Sequence, residues 1–183
     1  PKGIPPKGTT KGGVPLTSTN SGAFVSYGLD DIGGAPIGRD ASVAVELALN
    51  RLLDATYPRD DGSIFPRRHE ILGPDTVVVY WAREDASLDF VHAVEADDPE
   101  AVGEMLRRPA AGRPAPLNDP AAFFALVLSG AQGRAIVRSS LESTVREIAS
   151  SVDAYREDAR IVRPFEDAPG GFPLSVLRKA LVP

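Results

Sequence analysis

The sequence predicts an α+β protein in which antiparallel strand pairs pack against two or three amphipathic helices, behind a flexible N-terminal arm rich in Gly and Lys. Two strands are predicted at 67–72 and 76–82, because apolar and β-branched residues flank the turn Gly73-Pro74-Asp75. Helices are predicted at 41–56 and 141–159, where apolar residues recur at spacings of three and four. Both element types therefore alternate along the chain.

The predicted arm, residues 1–22, contains Lys2, Lys7 and Lys11 and no acidic residue. Glycines let a backbone approach a ligand closely and lysines supply charge for phosphates, so a loop that touches nucleic acid is one interpretation. A solvated linker is the other, and composition leaves both open. The whole chain has a net charge of −5, and the residues after the arm carry 17 of its 20 basic residues against all 25 acidic ones. A basic arm therefore precedes an acidic body.

At 183 residues the chain is long enough for a domain with a sizeable core. It contains no cysteine, which excludes disulfides and thiolate zinc sites and fits a reducing, cytoplasmic setting. No apolar run reaches the length of a membrane span, so we expect no membrane partner. Because the chain starts at Pro1 and its only methionine is Met105, we expect it to be a segment of a longer protein.

The first helix is predicted to begin just after Asp40, whose carboxylate is placed to accept hydrogen bonds from N–H groups of the first turn. Tyr57-Pro58 is expected to close it, since the residue before a proline disfavours helical conformation. Its apolar stripe consists of Val43, Leu47, Ala48, Leu52 and Leu53. We expect this stripe to pack against the sheet that follows.

Another helix is predicted from Asp98-Pro99-Glu100 to about Arg108, because an acidic cap precedes a proline at the first helical position. Four prolines in residues 109–120 predict a linker or surface loop without regular structure. The predicted organisation is therefore an arm at 1–22, an α/β portion at 23–108, a linker at 109–120 and a hairpin with a long helix at 121–183.

The last portion predicts a hairpin with strands at 123–128 and 134–138 around a turn at 129–133. Arg134 and Arg138 share one face of the second strand, about 13 Å apart, because side chains two residues apart point the same way. They fit contacts to neighbouring phosphates or to an acidic partner. They could equally be exposed charged residues at the edge of a sheet, which keep the sheet soluble, and both interpretations stay open.

The predicted long helix has an apolar stripe and an opposite face of mixed charge, which is expected to be solvated. The stripe consists of Leu141, Val145, Ile148, Val152 and Tyr155. The charged face consists of Glu142, Arg146, Glu147, Asp153, Arg156 and Glu157.

Catalytic chemistry is not indicated. His69 and Glu70 are neighbours in a predicted strand and point to opposite faces, and His92 with Glu95 would leave a metal site short of ligands. No phosphate-binding glycine loop and no G-x-S-x-G elbow is present. We therefore expect no enzymatic activity, no catalytic residue, no metal and no cofactor.

Several short motifs follow one another in a specific order: K-G-I at 2–4, S-T-N at 18–20, A-F-V-S-Y-G at 23–28, A-P-I at 35–37, A-L-N-R-L-L at 48–53, T-V-V-V-Y-W-A at 76–82 and G-R-A-I-V-R at 133–138. In this order they resemble the large subunit of the type I-C CRISPR interference complex (Cascade), of the Csd-type family, and the chain resembles a central fragment of it.

The resemblance implies a non-catalytic large-subunit segment that helps an RNA-guided complex to bind target DNA beside the protospacer and to hold the opened strands. Its implied partners are target DNA, the crRNA-containing complex, other Cascade subunits and a recruited nuclease-helicase. The residues implied in nucleic-acid contacts are Lys2, Lys7, Lys11, Asn20, Arg134 and Arg138. Asn20 fits either a base edge or a hydrogen bond within its own turn. The alternative function is a protein-interaction scaffold that docks subunits or the nuclease-helicase.

Overall fold

The structure, a computed structural model, describes residues 4, 37–54, 68–83, 86, 88–93, 99–109, 112–131 and 134–158. Its elements are α1 (Arg39–Leu53), β1 (His69–Ile71), β2 (Thr76–Ala82), α2 (Asp89–Ala93), α3 (Pro99–Arg107), β3 (Ala122–Ala131), β4 (Arg134–Thr144) and α4 (Val145–Asp158). The predicted α+β class is confirmed. The chain divides into two compact units, Pro1–Tyr80 with Ala125–Leu141 and Trp81–Phe124 with Glu142–Pro183. The predicted domain ranges stay a prediction.

Within the described residues, the strands form a four-stranded sheet in the order β1-β2-β3-β4. β1 and β2 pair antiparallel, with His69 opposite Val79, as the strand-turn-strand pattern predicted. Val77 and Val79 are fully buried while Val78 between them is partly exposed, because successive side chains of a strand point to opposite faces. Leu128 of β3 and Tyr80 of β2 are also buried, and these residues contribute to the core of the first unit.

Helix α1 begins two residues before the predicted start, and Asp40 is not its N-cap. The N-cap is Gly38, whose extended backbone (φ −67°, ψ 155°) leaves its carbonyl to accept the N–H of Ser42 at 2.9 Å. Among the residues that the structure describes, no side chain caps this end. Asp40 lies in the first turn, where its negative charge still interacts favourably with the helix dipole.

The predicted packing face of α1 is only partly right. Leu53 of the predicted stripe is buried, but Val43 and Leu47 are 50% and 65% exposed, and the other buried residue is Leu49. Leu49 and Leu53 lie four residues apart near the C-terminus of the helix, so burial is confined to one end. The predicted close at Tyr57-Pro58 lies outside the described residues.

The second unit contains α2, α3 and α4, and α3 packs against both of the others. α3 begins at Pro99 and ends at Arg107, as its proline start signal predicted. Leu106 on α3, Phe90 on α2 and Val145 on α4 are each fully buried. Trp81 and Phe124 add a stacked ring pair with centroids 5.5 Å apart.

The Pro-rich segment contains regular structure that the sequence did not predict. Pro116–Asn118 forms a short 3₁₀ helix that packs against α3 and α4. Pro116 is buried, and so is Asp119, whose carboxylate accepts the N–H of Ala121 at 2.9 Å. Prolines suit the start of such a turn because they lack the N–H that the turn would leave without a partner.

Helix α4 starts at Val145, four residues later than predicted, and Leu141 belongs to β4 instead. The boundary is a capping box: the Glu147 N–H donates to Thr144 Oγ1 at 3.2 Å, and Glu147 Oε2 accepts the Thr144 N–H at 3.0 Å. The Ser143 hydroxyl also donates to Glu147 Oε2, at 2.6 Å. These bonds, that of Ser143 above all, hold the pKa of the Glu147 carboxyl below its ordinary value.

The Pro-rich segment supplies further acceptors to the start of α4. The Val145 N–H donates to the Ala121 carbonyl and the Arg146 N–H to the Asp119 carbonyl, both at 2.9 Å. The first turn of a helix leaves its N–H groups without intrahelical acceptors, so these contacts remove a penalty that the helix would otherwise carry. The segment is therefore bonded to α4.

The charged face of α4 is not uniformly solvated. The Arg156 side chain is only 13% exposed, and its guanidinium donates to Asp153 Oδ1 at 2.8 and 3.2 Å and to Glu157 Oε1 at 2.6 Å. Arg107 of α3 also contacts Asp153, at 3.5 Å. Space for Arg156 exists because α3 carries a glycine at that point: a Cβ on Gly103 would lie 3.2 Å from Arg156 Cζ.

No helix in the described ranges is long and apolar enough to cross a membrane. Of the predicted arm, the structure describes Ile4, which is buried with 3% exposure, and the other residues of 1–22 lie outside the described part.

Candidate nucleic-acid interface

The structure describes one of the six predicted contact residues in full. Lys2, Lys7, Lys11 and Asn20 lie outside the described residues. For Arg134 only the backbone is described, as the first residue of β4. Arg138 is described with its side chain, so the candidate interface is built from β4 around Arg138, and the predicted 13 Å spacing to the Arg134 guanidinium stays a prediction.

The hairpin that carries Arg138 is longer than the sequence indicated. β3 runs to Ala131 and β4 to Thr144, with two residues between the strands. Ser129, predicted in the turn, therefore lies inside β3. The sequence signal for this longer hairpin is the pair Gln132-Gly133, since tight hairpins favour two-residue connections that end in glycine.

β4 presents a continuous accessible stretch. Residues 137–142 are all exposed, with Val137 at 55% and Leu141 at 48%. Because neighbouring residues of a strand point to opposite faces, both faces of β4 are accessible along this stretch. Within the described sheet β4 is the last strand in the order, so a ligand can approach Arg138 from the side of the exposed stretch.

A single hydrogen bond holds the Arg138 guanidinium against the sheet. Arg138 Nε donates to Ser129 Oγ at 2.7 Å, and Ser129 is 1% exposed. Arg138 itself is an exposed residue. Among the described residues its side chain has no second hydrogen bond or ion pair. The terminal NH₂ groups are therefore available to an external acceptor, and a guanidinium fork matches the two oxygens of a phosphate.

His69 does not join this interface. His69 Nδ1 donates to the Leu52 carbonyl at 2.9 Å, because a carbonyl oxygen only accepts, and the ring nitrogen facing it must carry the proton. The bond ties β1 to the end of α1. His92 lies in α2, and its side chain is outside the described part. In the portion of the chain that is described, no three His, Asp or Glu residues are grouped to hold a metal ion.

The family comparison decides the relationship of the chain. A family model described as CRISPR-associated protein (Cas_Csd1) matches residues 4–183, including the hairpin with Arg138. The chain belongs to the Cas_Csd1 family. No curated protein matches the chain significantly. The resemblance to the Csd-type family of type I-C Cascade is thus confirmed, and Cas_Csd1 membership makes other Cascade subunits the expected partners.

Proposed function

We propose that this Cas_Csd1 chain is a non-catalytic segment of the large subunit of type I-C Cascade. In the proposal it binds target DNA next to the protospacer, in the cytoplasm, and helps to stabilise the R-loop. Its partners are the target DNA, the crRNA-containing complex, other Cascade subunits and the recruited nuclease-helicase. Base pairing with the guide reads sequence in such complexes, so the protein has to supply backbone contacts rather than a reactive centre.

The observation that carries the proposal is the guanidinium of Arg138, an exposed residue of β4. It lies in the strand that matches the family pattern G-R-x-x-V-R, and its terminal nitrogens face no described acceptor. Arginine binds phosphate oxygens in pairs, and such contacts position a protein on DNA without reading its sequence. This chemistry fits a subunit that holds DNA strands.

The decisive experiment substitutes Arg138→Ala in the assembled complex and measures the affinity for target duplex over a series of salt concentrations. Loss of one phosphate contact should weaken binding about tenfold at low salt and reduce the slope of log K against log salt by about 0.9. Arg108→Ala is the matched control, since Arg108 is an exposed arginine that lies outside β4. An Arg138→Ala complex with unchanged affinity and slope would remove this residue from the interface.

The predicted arm is tested in the same assay. Replacing Lys2, Lys7 and Lys11 together by alanine should reduce the salt slope by about 2.7 if each lysine neutralises one phosphate. Asn20→Ala should weaken binding without a change in slope, because an amide carries no charge. If the triple variant binds with the parental slope, the arm is a solvated linker.

A second candidate function is a protein-interaction scaffold, which the exposed apolar residues of α1 favour. Exposure is between 42% and 65% for Val43, Val45 and Leu47, although the transfer of apolar side chains out of water is favourable. Leu47→Ser should then reduce co-purification with Cascade subunits in the absence of nucleic acid, whereas Arg138→Ala should not. Equal recovery of subunits with the Leu47→Ser variant would contradict the scaffold function of this helix.

A further inference from the structure

Ser129 is a buried polar residue at a position where the sequence predicted a turn. It lies in β3 with 1% exposure, next in sequence to the fully buried Leu128. A buried hydroxyl costs free energy unless it has a hydrogen-bond partner. The partner here is the Nε of Arg138, at 2.7 Å.

This bond constrains the orientation of the guanidinium. The group is planar and carries five N–H donors, of which one belongs to Nε and four to the two terminal nitrogens. When Nε donates to an atom fixed inside the sheet, the plane can no longer rotate freely about the end of the side chain. The four remaining donors are then held in one arrangement, on an exposed residue of β4.

We propose that Ser129 is a positioning residue that pre-orients Arg138 for a phosphate of the target DNA backbone. The inference rests on the proposed function, because it assumes that Arg138 contacts DNA. Ser129 itself does not touch the DNA. It lowers the entropy that Arg138 loses on binding, since a side chain already held in its bound orientation has less freedom to give up.

The test uses Ser129→Ala, Arg138→Ala and the double variant in the assembled complex, with affinity for target duplex measured over a salt series. Ser129→Ala should weaken binding about three- to tenfold, as expected for the loss of pre-ordering of one long side chain. The salt slope should stay at the parental value, because the charge of Arg138 remains. Ser150→Ala is the matched control: it makes the same change at an exposed position of α4, outside the candidate interface, and should not affect affinity.

The double variant separates positioning from general destabilisation. Once Arg138 is removed, Ser129→Ala should have no further effect, because there is no guanidinium left to orient. If Ser129→Ala weakens binding equally in both backgrounds, it acts by disturbing the sheet and the inference is overturned.

The failure of this inference differs from failure of the proposed function. If Arg138→Ala weakens binding and lowers the slope while Ser129→Ala changes nothing, Ser129 has no positioning role and the DNA contact stands. If Arg138→Ala also changes nothing, the contact itself is absent and both proposals fall.

Discussion

The contact of Gly103 with Arg156 predicts that a normally stabilising substitution will destabilise this protein. Gly103→Ala in the middle of α3 should gain about 1 kcal/mol, because alanine loses less backbone freedom in a helix than glycine. The added Cβ would however lie 3.0 Å from Arg107 Nη1 and 3.2 Å from Arg156 Cζ. Arg107 is 58% exposed, and its Nη1 donates to the Gly103 carbonyl at 3.1 Å, so this flexible side chain can move aside at the cost of that bond and the outcome depends mainly on Arg156.

Movement of the Arg156 side chain would cost considerable free energy. Its side chain is 13% exposed and its guanidinium is bonded to two carboxylates, those of Asp153 and Glu157. Overfilling a packed site costs about 1–3 kcal/mol. Set against the gain of about 1 kcal/mol in helix propensity, the net expectation is a loss of about 1 kcal/mol in the free energy of unfolding, measured by urea denaturation.

The control places Gly103→Ala in an Arg156→Ala background. With the guanidinium gone, the new methyl group meets only the mobile end of Arg107, and the substitution should stabilise by about 1 kcal/mol. The sign of its effect should therefore reverse, giving a coupling energy of about 2 kcal/mol between the two positions. Equal stabilisation in both backgrounds would refute the reasoning, since Arg156 would then not fill the space beside Gly103.

Three further predictions concern helix ends. Thr144→Ala should lower the free energy of unfolding by about 1 kcal/mol through loss of the α4 cap, while Thr144→Ser should retain it, as urea denaturation can measure. The pKa of Glu147 is lowered in the folded protein, chiefly by the Ser143 hydroxyl. The ionised Glu147 carboxylate should therefore stabilise the fold fully at a pH above the carboxyl pKa of the unfolded chain, and this contribution should disappear as the pH falls through the lowered folded pKa. Glu147→Gln should remove this part of the pH dependence of the free energy of unfolding. The prediction would be contradicted if the free energies of unfolding of the two proteins changed with pH in parallel. His69→Ala should cost about 0.5–1.5 kcal/mol, because the Leu52 carbonyl loses its donor, with faster amide exchange at the end of α1 as the readout.

Elements that depend on local sequence were predicted well. The β-branched run of β2 and the start of α3 at Pro99 are set by residues within a few positions, and both were placed correctly. The start of α4 was missed, although its signal is also local: Thr144 followed three residues later by Glu147 is a capping box.

Features that depend on residues distant in the sequence could not be predicted from the sequence. The periodicity of α1 defines an apolar stripe but cannot say which side finds a partner, and Val43 and Leu47 remain exposed. The burial of Arg156 depends on a glycine in another helix, far away in sequence. Of the candidate site, the position of Arg138 on a strand was predicted, whereas its bond to Ser129 requires the pairing of β3 with β4.

Two hydrogen bonds, from amides at the start of α4 to the Asp119 and Ala121 carbonyls, join the two ends of the β3–β4 hairpin. They affect how this hairpin opens. The first amides of a helix usually exchange with solvent quickly, since nothing within the helix accepts their hydrogens. Here the Val145 and Arg146 amides, which follow β4, are bonded to the carbonyls of Ala121 and Asp119, which precede β3. Their exchange therefore requires the base of the whole hairpin to separate, and these two amides act as reporters of that opening.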